Sequence, residues 1–530
     1  MEARRIAILD TTLRDGMQGQ GISYTLDDKL QIARTMDAFG IDYIEGGFPL
    51  SNRKEEEFFR RIAKEGLRHA RVAAFGSTRK PGGKAAVDPH VTALLNAETP
   101  AVVVVGKSWK AHVHEVLQTT EDENLAMIAD TVATLKKAGR EVIFDLEHFF
   151  DGWKDDPAFG LQVLEAATDA GADCLVLCDT NGGTLPSEVA RIIAQLPAAR
   201  LAPLGGHFHN DTGCAVASSI AAVEQGAVHV QGTINGWGER CGNANLCVLV
   251  PNLCLKMSLA ASCAPNLRHL TSLSRFVSEK ANIIPDKQQP YVGETAFSHK
   301  AGQHADVIAK APTLMEHVDG ALVGNERRIL LSELAGKSTI VRKLARYGEF
   351  DKSSKEVTRL LAELKRLEQE GYEYEAAEAS FDLVIRKTLG LHRPLLELSN
   401  YHLESYQTGA TPSKTVGRLF VRVDGTLLMG AAVGVGPVDT LNMALRDALV
   451  PIYPFLKRMK LTDYRVRVLN PEQATAARVR VFITTSDGEE SWDTVGVSEN
   501  VIEASWQALV DSMEYYYNNR GVSGANSPGT

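Results

Sequence analysis

The sequence predicts an α/β protein: a (β/α)8 barrel followed by helical linker subdomains and a C-terminal α+β domain. Between residue 6 and about residue 250, eight short apolar runs alternate with amphipathic helical stretches. Each run ends in polar residues, as expected where parallel strands carry chemistry at their carboxyl ends. An open doubly wound sheet is the alternative, but the glycine-rich loop that usually follows its first strand is missing from the sequence.

The eight predicted strands have the number and spacing of a closed barrel. They span residues 6–9, 43–45, 72–75, 102–105, 142–144, 174–177, 204–208 and 228–233. In a closed barrel the first strand lies beside the eighth, so residues far apart in sequence meet at its carboxyl end.

Composition indicates a globular enzyme of two or three domains. The chain has 530 residues, 44% hydrophobic and 23% charged, with a formal net charge of −9 and no basic block, so nucleic acid and membrane surfaces are not expected partners. Seven scattered cysteines form no C-x-x-C pair, which favours a reducing compartment. The N-terminus shows neither a signal peptide nor a membrane-spanning segment, and we expect a cytoplasmic protein.

Two histidines at the end of the seventh strand predict a metal site. His207 and His209 alternate with Phe208, so both imidazoles point to the same face of the strand. Two neutral imidazoles with one carboxylate and an open position form a metal site of the catalytic type. Without further ligands, the simpler interpretation is two unrelated polar residues at a strand end.

The strands next to the seventh supply the missing ligands. Asp15 follows the first strand and can complete the metal site, while the adjacent Arg14 can hold or stabilise an anion. In the glycine-rich loop after the eighth strand, Asn243 offers a further oxygen ligand or an anchor for a metal-bound water. A surface ion pair between Arg14 and Asp15 is the alternative.

Two more candidates follow the fifth and sixth strands. Glu147 is a candidate general acid or base, or a partner that orients Arg14. Thr180 offers a hydroxyl to a substrate carboxylate. For either residue, a capped strand-to-helix turn is the structural alternative.

Six motifs together resemble those of a known enzyme family. They are DTTLRDG (10–16), YIEGGFP (43–49), FDLEHFFDG (144–152), HFHND (207–211), NGWGERCGNA (235–244) and GYEYEAAEASF (371–381). These motifs are similar to those of the metal-dependent acyl-CoA condensing enzymes of the isopropylmalate synthase and homocitrate synthase family, which belong to the TIM-barrel metallolyases with hydroxymethylglutaryl-CoA lyase. Within the family they resemble the (R)-citramalate synthase branch.

This resemblance implies condensation of acetyl-CoA with pyruvate to (R)-citramalate and CoA, in the isoleucine branch of amino-acid biosynthesis. The implied cofactor is a divalent Mg, Mn or Zn ion. Isopropylmalate synthase, or a related condensation with another 2-keto acid, is the main alternative. A retro-aldol lyase would not need the long C-terminal domain, and a non-catalytic amino-acid sensor is a remote alternative.

The resemblance also implies a homodimer with a composite site. The linker subdomain of the family reaches over the barrel of the partner subunit, and His304 and Asp306 fit its catalytic positions. One departure is that related sequences have a tyrosine before the Glu-His pair, where this chain has Met315. The proton-transfer role of that tyrosine does not carry over.

The expected domains are residues 1–265 for the barrel, 266–388 for the linker, 389–517 for a regulatory domain and 518–530 for a disordered tail. Strands at 419–423, 464–468 and 479–484 and helices at 439–449 and 501–516 suggest a weak duplication of strands followed by a helix. The resemblance implies that this domain dimerises and binds an end-product amino acid, here isoleucine. Gly436 and Ser498, before the two helices, are candidate effector contacts.

Overall fold

The computed structural model contains a closed barrel of eight parallel strands in sequential order, which confirms the predicted fold class. The strands are β1 (Ala7–Asp10), β2 (Tyr43–Gly47), β3 (Arg71–Ser77), β4 (Ala101–Lys107), β5 (Glu141–Glu147), β6 (Cys174–Asp179), β7 (Leu204–Phe208) and β8 (His229–Gly232). All eight predicted strands are present. The structure describes residues 4–299, 311–329, 337–374, 377–407, 409, 412–470, 472 and 477–520.

Barrel closure sets the position of the polar strand ends. β1 pairs with β8 through Ile8 and Val230, and with β2 through Asp10 and Ile44. β7 pairs with β8 in turn, so the carboxyl ends of β7, β8 and β1 are adjacent. The lower barrel interior is filled by apolar side chains, including Leu9, Val103, Ile143 and Val176.

Ten α-helices belong to the first compact unit of the chain, within the residues described. They are α1 (Leu26–Phe39), α2 (Arg53–Ile62), α3 (Pro89–Asn96), α4 (Glu121–Lys137), α5 (Phe149–Asp155), α6 (Pro157–Asp169), α7 (Pro186–Ile193), α8 (Ala215–Glu224), α9 (Leu246–Pro251) and α10 (Leu270–Ala281). Local signals fix their ends: Thr25 and Asp28 form a capping box at the start of α1, and Gly40 ends it in the left-handed conformation.

Two compact units make up the chain. The first comprises Met1–Ser298 and Glu316–Arg328, and the second comprises His299–Met315 and Ile329–Thr530. Two strands of two residues, β9 (Ser298–His299) and β10 (Arg328–Ile329), lie where the units alternate along the chain. The second unit then contains α11 (Lys337–Leu344), α12 (Lys355–Gln369) and α13 (Glu378–Leu389), in agreement with the predicted helical linker.

The C-terminal part of the second unit is built from two similar repeats, which confirms the predicted duplication. Each repeat is a three-stranded antiparallel sheet followed by a helix. The first has β11 (Glu397–Tyr406), β12 (Lys414–Val423), β13 (Thr426–Gly434) and α14 (Pro437–Leu449), and the second has β14 (Lys460–Val468), β15 (Val479–Ser486), β16 (Ser491–Ser498) and α15 (Val501–Arg520). The sequence had predicted only β12, β14 and β15 among these strands.

The two repeats differ in how their sheets are covered. The second sheet packs on α15 through Val481 and Ile483, and its other face contacts the linker helices through Phe482 and Val497. The first sheet packs on α14 through residues such as Leu419 and Leu441. Its outer face carries exposed apolar side chains, which are Val416, Leu427, Met429 and Val433.

No helix in the described parts of the chain is both long enough and apolar enough to cross a membrane. All seven cysteines carry free thiols.

A buried ion pair supports the loop after β2. Lys29 on α1 is fully buried, and its Nζ donates to both carboxylate oxygens of Glu55 on α2, at 2.8 and 2.6 Å. Gly47 has a φ of +135°, and a Cβ there would lie 1.7 Å from Glu55 Oε2. The pair therefore fills the space that this glycine leaves open.

We expect Lys29→Met to destabilise the protein by about 3–5 kcal/mol, because it leaves a buried carboxylate without a counter-charge while keeping the apolar stem. Arg60→Met, which breaks the exposed pair with Glu57 on α2, is the matched control and should cause no measurable change. Urea denaturation of the full chain, followed by tryptophan fluorescence, measures both. Equal effects of the two substitutions would contradict the importance of the buried pair.

Candidate active site

Three buried side chains that follow β1 and β7 converge at the carboxyl end of the barrel. His207 Nε2 lies 3.4 Å from Asp15 Oδ2, and His209 Nε2 lies 3.8 Å from the same oxygen. The two Nε2 atoms are 3.4 Å apart. The structure thus brings together the three residues that the sequence predicted as metal ligands, and their ligand atoms all lie within 4.8 Å of one another.

The electrostatics of this cluster fit a divalent cation. Burial lowers the pKa of His209 to about 3, so its imidazole is neutral and offers a lone pair at neutral pH. Burial would raise the pKa of Asp15, but Arg14 and the histidines outweigh burial and keep the pKa below its usual value. Burial would lower the pKa of His207, but the hydrogen bond to Asp15 outweighs burial and raises this pKa above its usual value. A cation that binds His207 must therefore displace a proton from the imidazole.

The loop after β8 places Asn243 beside the cluster. Asn243 forms an isolated β-bridge with His209, and its Oδ1 is buried with no hydrogen-bond partner among the described residues. Gly242, with a φ of +88°, approaches Gly236 so closely that a Cβ would lie 2.0 Å from the Gly236 carbonyl oxygen. The loop therefore needs glycine at position 242 to bring Asn243 beside His209. The unpartnered Oδ1 of Asn243 fits the role of a fourth metal ligand.

Two buried polar side chains fix the orientation of His207. Its Nδ1 donates to Gln231 Oε1 at 2.8 Å, and Gln231 Nε2 donates to Asp145 Oδ1 at 3.0 Å. Gln231 and Asp145 are both buried in the barrel interior. Because the amide oxygen can only accept, Nδ1 carries the proton and Nε2 faces Asp15.

Arg14 lies next to the cluster in an acidic and aromatic setting. Its Nε donates to Glu45 Oε2 at 2.7 Å, its Nη1 lies 3.3 Å from Asp15 Oδ2, and its guanidinium is 4.0 Å from the centre of the Phe75 ring. Glu45 also accepts a hydrogen bond from the Thr11 hydroxyl. The suggestion that Glu147 orients Arg14 is therefore wrong, because Glu45 does so.

Glu147 and Thr180 lie at the ends of the neighbouring strands β5 and β6. The carboxylate of Glu147 forms an ion pair with Lys107 at the end of β4. Thr180 Oγ1 accepts a hydrogen bond from the backbone N–H of His148 at 2.9 Å, so the turn that the sequence offered as an alternative is present. Its hydroxyl proton remains available to a ligand.

Of the remaining candidate residues, His304 and Asp306 lie outside the described residues. Met315 is half-buried. Gly436 precedes α14 with open space around it, and the Ser498 hydroxyl donates to Glu503 Oε2 at 2.7 Å before α15.

Comparison with known proteins adds to this geometry. Residues 5–277 match the family profile described as HMGL-like, residues 291–372 match the homocitrate synthase post-HMGL domain-like profile, and residues 375–517 match the LeuA allosteric (dimerisation) domain. The (R)-citramalate synthase of Aquifex aeolicus is 48% identical over 97% of this chain and 98% of its own length. The chain belongs to the (R)-citramalate synthase family.

One more distant relative matches over nearly the full chain, and a solved structure matches over about half of it. A probable 2-isopropylmalate synthase of Methanopyrus kandleri is 32% identical over 96% of this chain and 97% of its own length. Among solved structures, a hydroxymethylglutaryl-CoA lyase from Pseudomonas aeruginosa aligns with a TM-score of 0.44 and 19% identity over 52% of this chain and 93% of that one. Membership of the citramalate synthase family makes this chain an enzyme of the condensing acyltransferase type.

Sequence reasoning missed three residues of the site. Glu45 was noted only as part of a motif, although its place at the end of β2, next to β1, indicated a neighbour of Arg14. Lys107 is the last residue of β4, and Glu147 is the last residue of β5. Aligning the ends of these two neighbouring strands in the sequence would have indicated that the two side chains are opposite each other. Gln231 gave no signal, because a polar residue within β8 has no distinctive spacing.

We expect Gln231→Met to lower the affinity for a divalent metal about 10–100-fold, because His207 loses the acceptor that orients its ring. Gln289→Met is the matched control: this buried amide donates to Asn235 at 3.2 Å and is no part of the cluster. Competition with a fluorescent chelator on metal-stripped protein measures both affinities. Unchanged affinity in Gln231→Met would remove the orienting role.

Proposed function

We propose that this chain condenses acetyl-CoA with pyruvate and water to (R)-citramalate and CoA, in the isoleucine branch of biosynthesis. The buried Asp15, His207 and His209 cluster beside Arg14 carries this proposal, because it fits a chelated 2-keto acid. The near full-length similarity to (R)-citramalate synthases supports the choice of pyruvate.

The metal ligands would be Asp15, His207, His209 and Asn243. A divalent cation, Mg, Mn or Zn, would polarise the keto group of the bound substrate. The donor set of two imidazoles and two oxygens suits several of these ions. Gln231 keeps the His207 lone pair directed into the site during turnover.

Arg14 is positioned to hold the negative charge that develops on the keto oxygen. Glu45 and Asp15 engage its Nε and Nη1 and fix the plane of the guanidinium. Among the described residues Nη2 has no acceptor, so it remains to donate to the substrate. A donor fixed before the reaction stabilises developing charge without reorganisation.

Glu147 acts as general acid or base, and Thr180 donates its hydroxyl to the carboxylate of the keto acid. A base removes a proton from the acetyl methyl group, and the resulting carbon attacks the keto carbon of pyruvate. The keto oxygen then takes up a proton to become a hydroxyl. Water cleaves the thioester, and the sulfur leaves with a proton as CoA. His304 and Asp306 would complete the site from the linker of a partner subunit.

The main alternative is 2-isopropylmalate synthesis, or a related condensation with another 2-keto acid in place of pyruvate. The Methanopyrus kandleri relative supports it, at lower identity than the citramalate synthases. A non-catalytic amino-acid sensor would not need the buried cluster together with Gln231 and Asp145, which orient it. The proposed reaction requires both.

The test is release of CoA thiol from acetyl-CoA with a panel of 2-keto acids of increasing side-chain size. We expect the highest kcat/KM with pyruvate, and full loss of thiol release when a chelator removes the metal. His209→Ala should abolish thiol release without unfolding the barrel. The control is His69→Ala, which removes an exposed histidine and should leave thiol release unchanged. A preference for 2-ketoisovalerate would favour the alternative, and no release with any acid would favour the sensor.

The uncovered outer face of the first C-terminal sheet supports a homodimer. Leu427, Met429 and Val433 on β13 and Val416 on β12 are 42–59% exposed and form one apolar surface. A surface of this kind on a folded domain marks an interface. The profile match to an allosteric dimerisation domain agrees with a second copy as the partner.

The same domain contains a cavity suited to an amino-acid effector. It has a volume of about 610 Å³ and lies between α14 and β14; it is lined by Val438, Asp439, Asn442, Arg446, Met459, Lys460, Leu461 and Tyr464. Asp439 offers a negative charge to an ammonium, Arg446 and Lys460 offer positive charges to a carboxylate, and Val438, Met459 and Leu461 add apolar side chains to the lining. We propose isoleucine as the effector, near Gly436, with Ser498 as the corresponding candidate in the second repeat.

We expect isoleucine to inhibit the full-length enzyme more strongly than leucine, and Asp439→Asn to weaken that inhibition about tenfold by removing the charge opposite the ammonium. Asp447→Asn is the matched control, because Asp447 lies on the same helix and accepts a backbone hydrogen bond from Ala431 as Asp439 does from Val435. Effector titrations of thiol release measure both. A response to leucine alone, or equal effects of both substitutions, would contradict this assignment.

A further inference from the structure

Lys107 and Glu147 form an ion pair at the mouth of the barrel. They are the last residues of β4 and β5, and the parallel register places them directly opposite each other. Their side chains are 20% and 26% exposed, so the pair is largely removed from solvent. Among the described residues, Lys107 is the ion-pair partner of Glu147.

Strand alternation places the pair on the inward face. Glu147 is two residues after Asp145, whose carboxylate contacts Gln231 in the barrel interior. Likewise Lys107 is four residues after Val103, which belongs to the interior apolar cluster. The pair therefore lies one layer above the Asp145–Gln231–His207 chain, on the carboxyl side where the active site is.

The backbone around the pair is fixed on both strands. The carbonyl of Lys107 accepts a hydrogen bond from the buried Asn124 side chain at 3.0 Å, and the carbonyl of Glu147 accepts one from the Ser108 hydroxyl at 2.6 Å. Gly152 on α5 approaches Ser108 so closely that a Cβ would lie 2.2 Å from its carbonyl oxygen. This support distinguishes the pair from a mobile surface salt bridge.

We propose that Lys107 is a positioning residue that holds the Glu147 carboxylate in place and directs it toward the substrate. This inference rests on the proposed acid–base role of Glu147. A general base has to be held within hydrogen-bond reach of the proton that it accepts, and an ion pair between two neighbouring strand ends fixes where this carboxylate lies. The long, flexible stem of lysine lets its ammonium follow the carboxylate as that proton moves.

The test is a double-mutant cycle on kcat, measured in the full-length enzyme with the keto acid that gives the fastest thiol release. We expect Glu147→Gln to lower kcat about 10²–10⁴-fold. Lys107→Met should lower kcat about tenfold with little change in either KM, and should have no further effect in the Glu147→Gln background. Lys107→Arg, which keeps the charge, should restore most of the lost kcat.

Lys110→Met is the control for loss of a lysine from the same segment. Lys110 follows β4 and forms ion pairs with Glu121 and Asp156. Its substitution should leave kcat unchanged. An unchanged kcat in Lys107→Met, or equal losses with and without Glu147, would overturn the positioning role. An unchanged kcat in Glu147→Gln would instead show that the proposed role of Glu147 is wrong. Circular dichroism and metal affinity of each variant separate these outcomes from misfolding.

Discussion

The convergence of Asp15, His207 and His209 depends on barrel closure. Without a cation, two imidazole nitrogens and a carboxylate oxygen at 3.4–3.8 Å compete for protons in a buried space, an arrangement that is costly unless it serves a ligand. The pairing of β1 with β8 brings residues nearly 200 positions apart to the same point. The site is therefore a property of the closed barrel and not of any local segment.

The surrounding residues keep the charged groups in fixed relation. Glu45 holds Arg14 beside Asp15, and Gln231 links His207 to Asp145 across the barrel. Each contact joins two different strands, so their geometry is as rigid as the sheet itself. Rigid support of this kind is what orients ligands and charge-stabilising groups in metalloenzymes.

Much of the barrel and its ligand set could be predicted from sequence, because alternation within β7 and the order of strands in a barrel already place His207, His209 and Asp15 together. The partner of Arg14 could not be predicted from sequence, because choosing Glu45 over Glu147 requires knowing which side chains point toward each other. Strand β13 was missed for a different reason. Its outward residues Leu427, Met429 and Val433 are apolar, so the usual alternation of apolar and polar residues is absent there.

The two C-terminal sheets differ in how much of their apolar surface the chain itself covers. One sheet completes its packing within its own chain, but the other keeps apolar residues in water until a second surface covers them. Where such covering comes from another subunit, the stability of the domain depends on protein concentration, and dilution acts as a mild denaturant. The expression level would then set what fraction of this protein is folded and assembled.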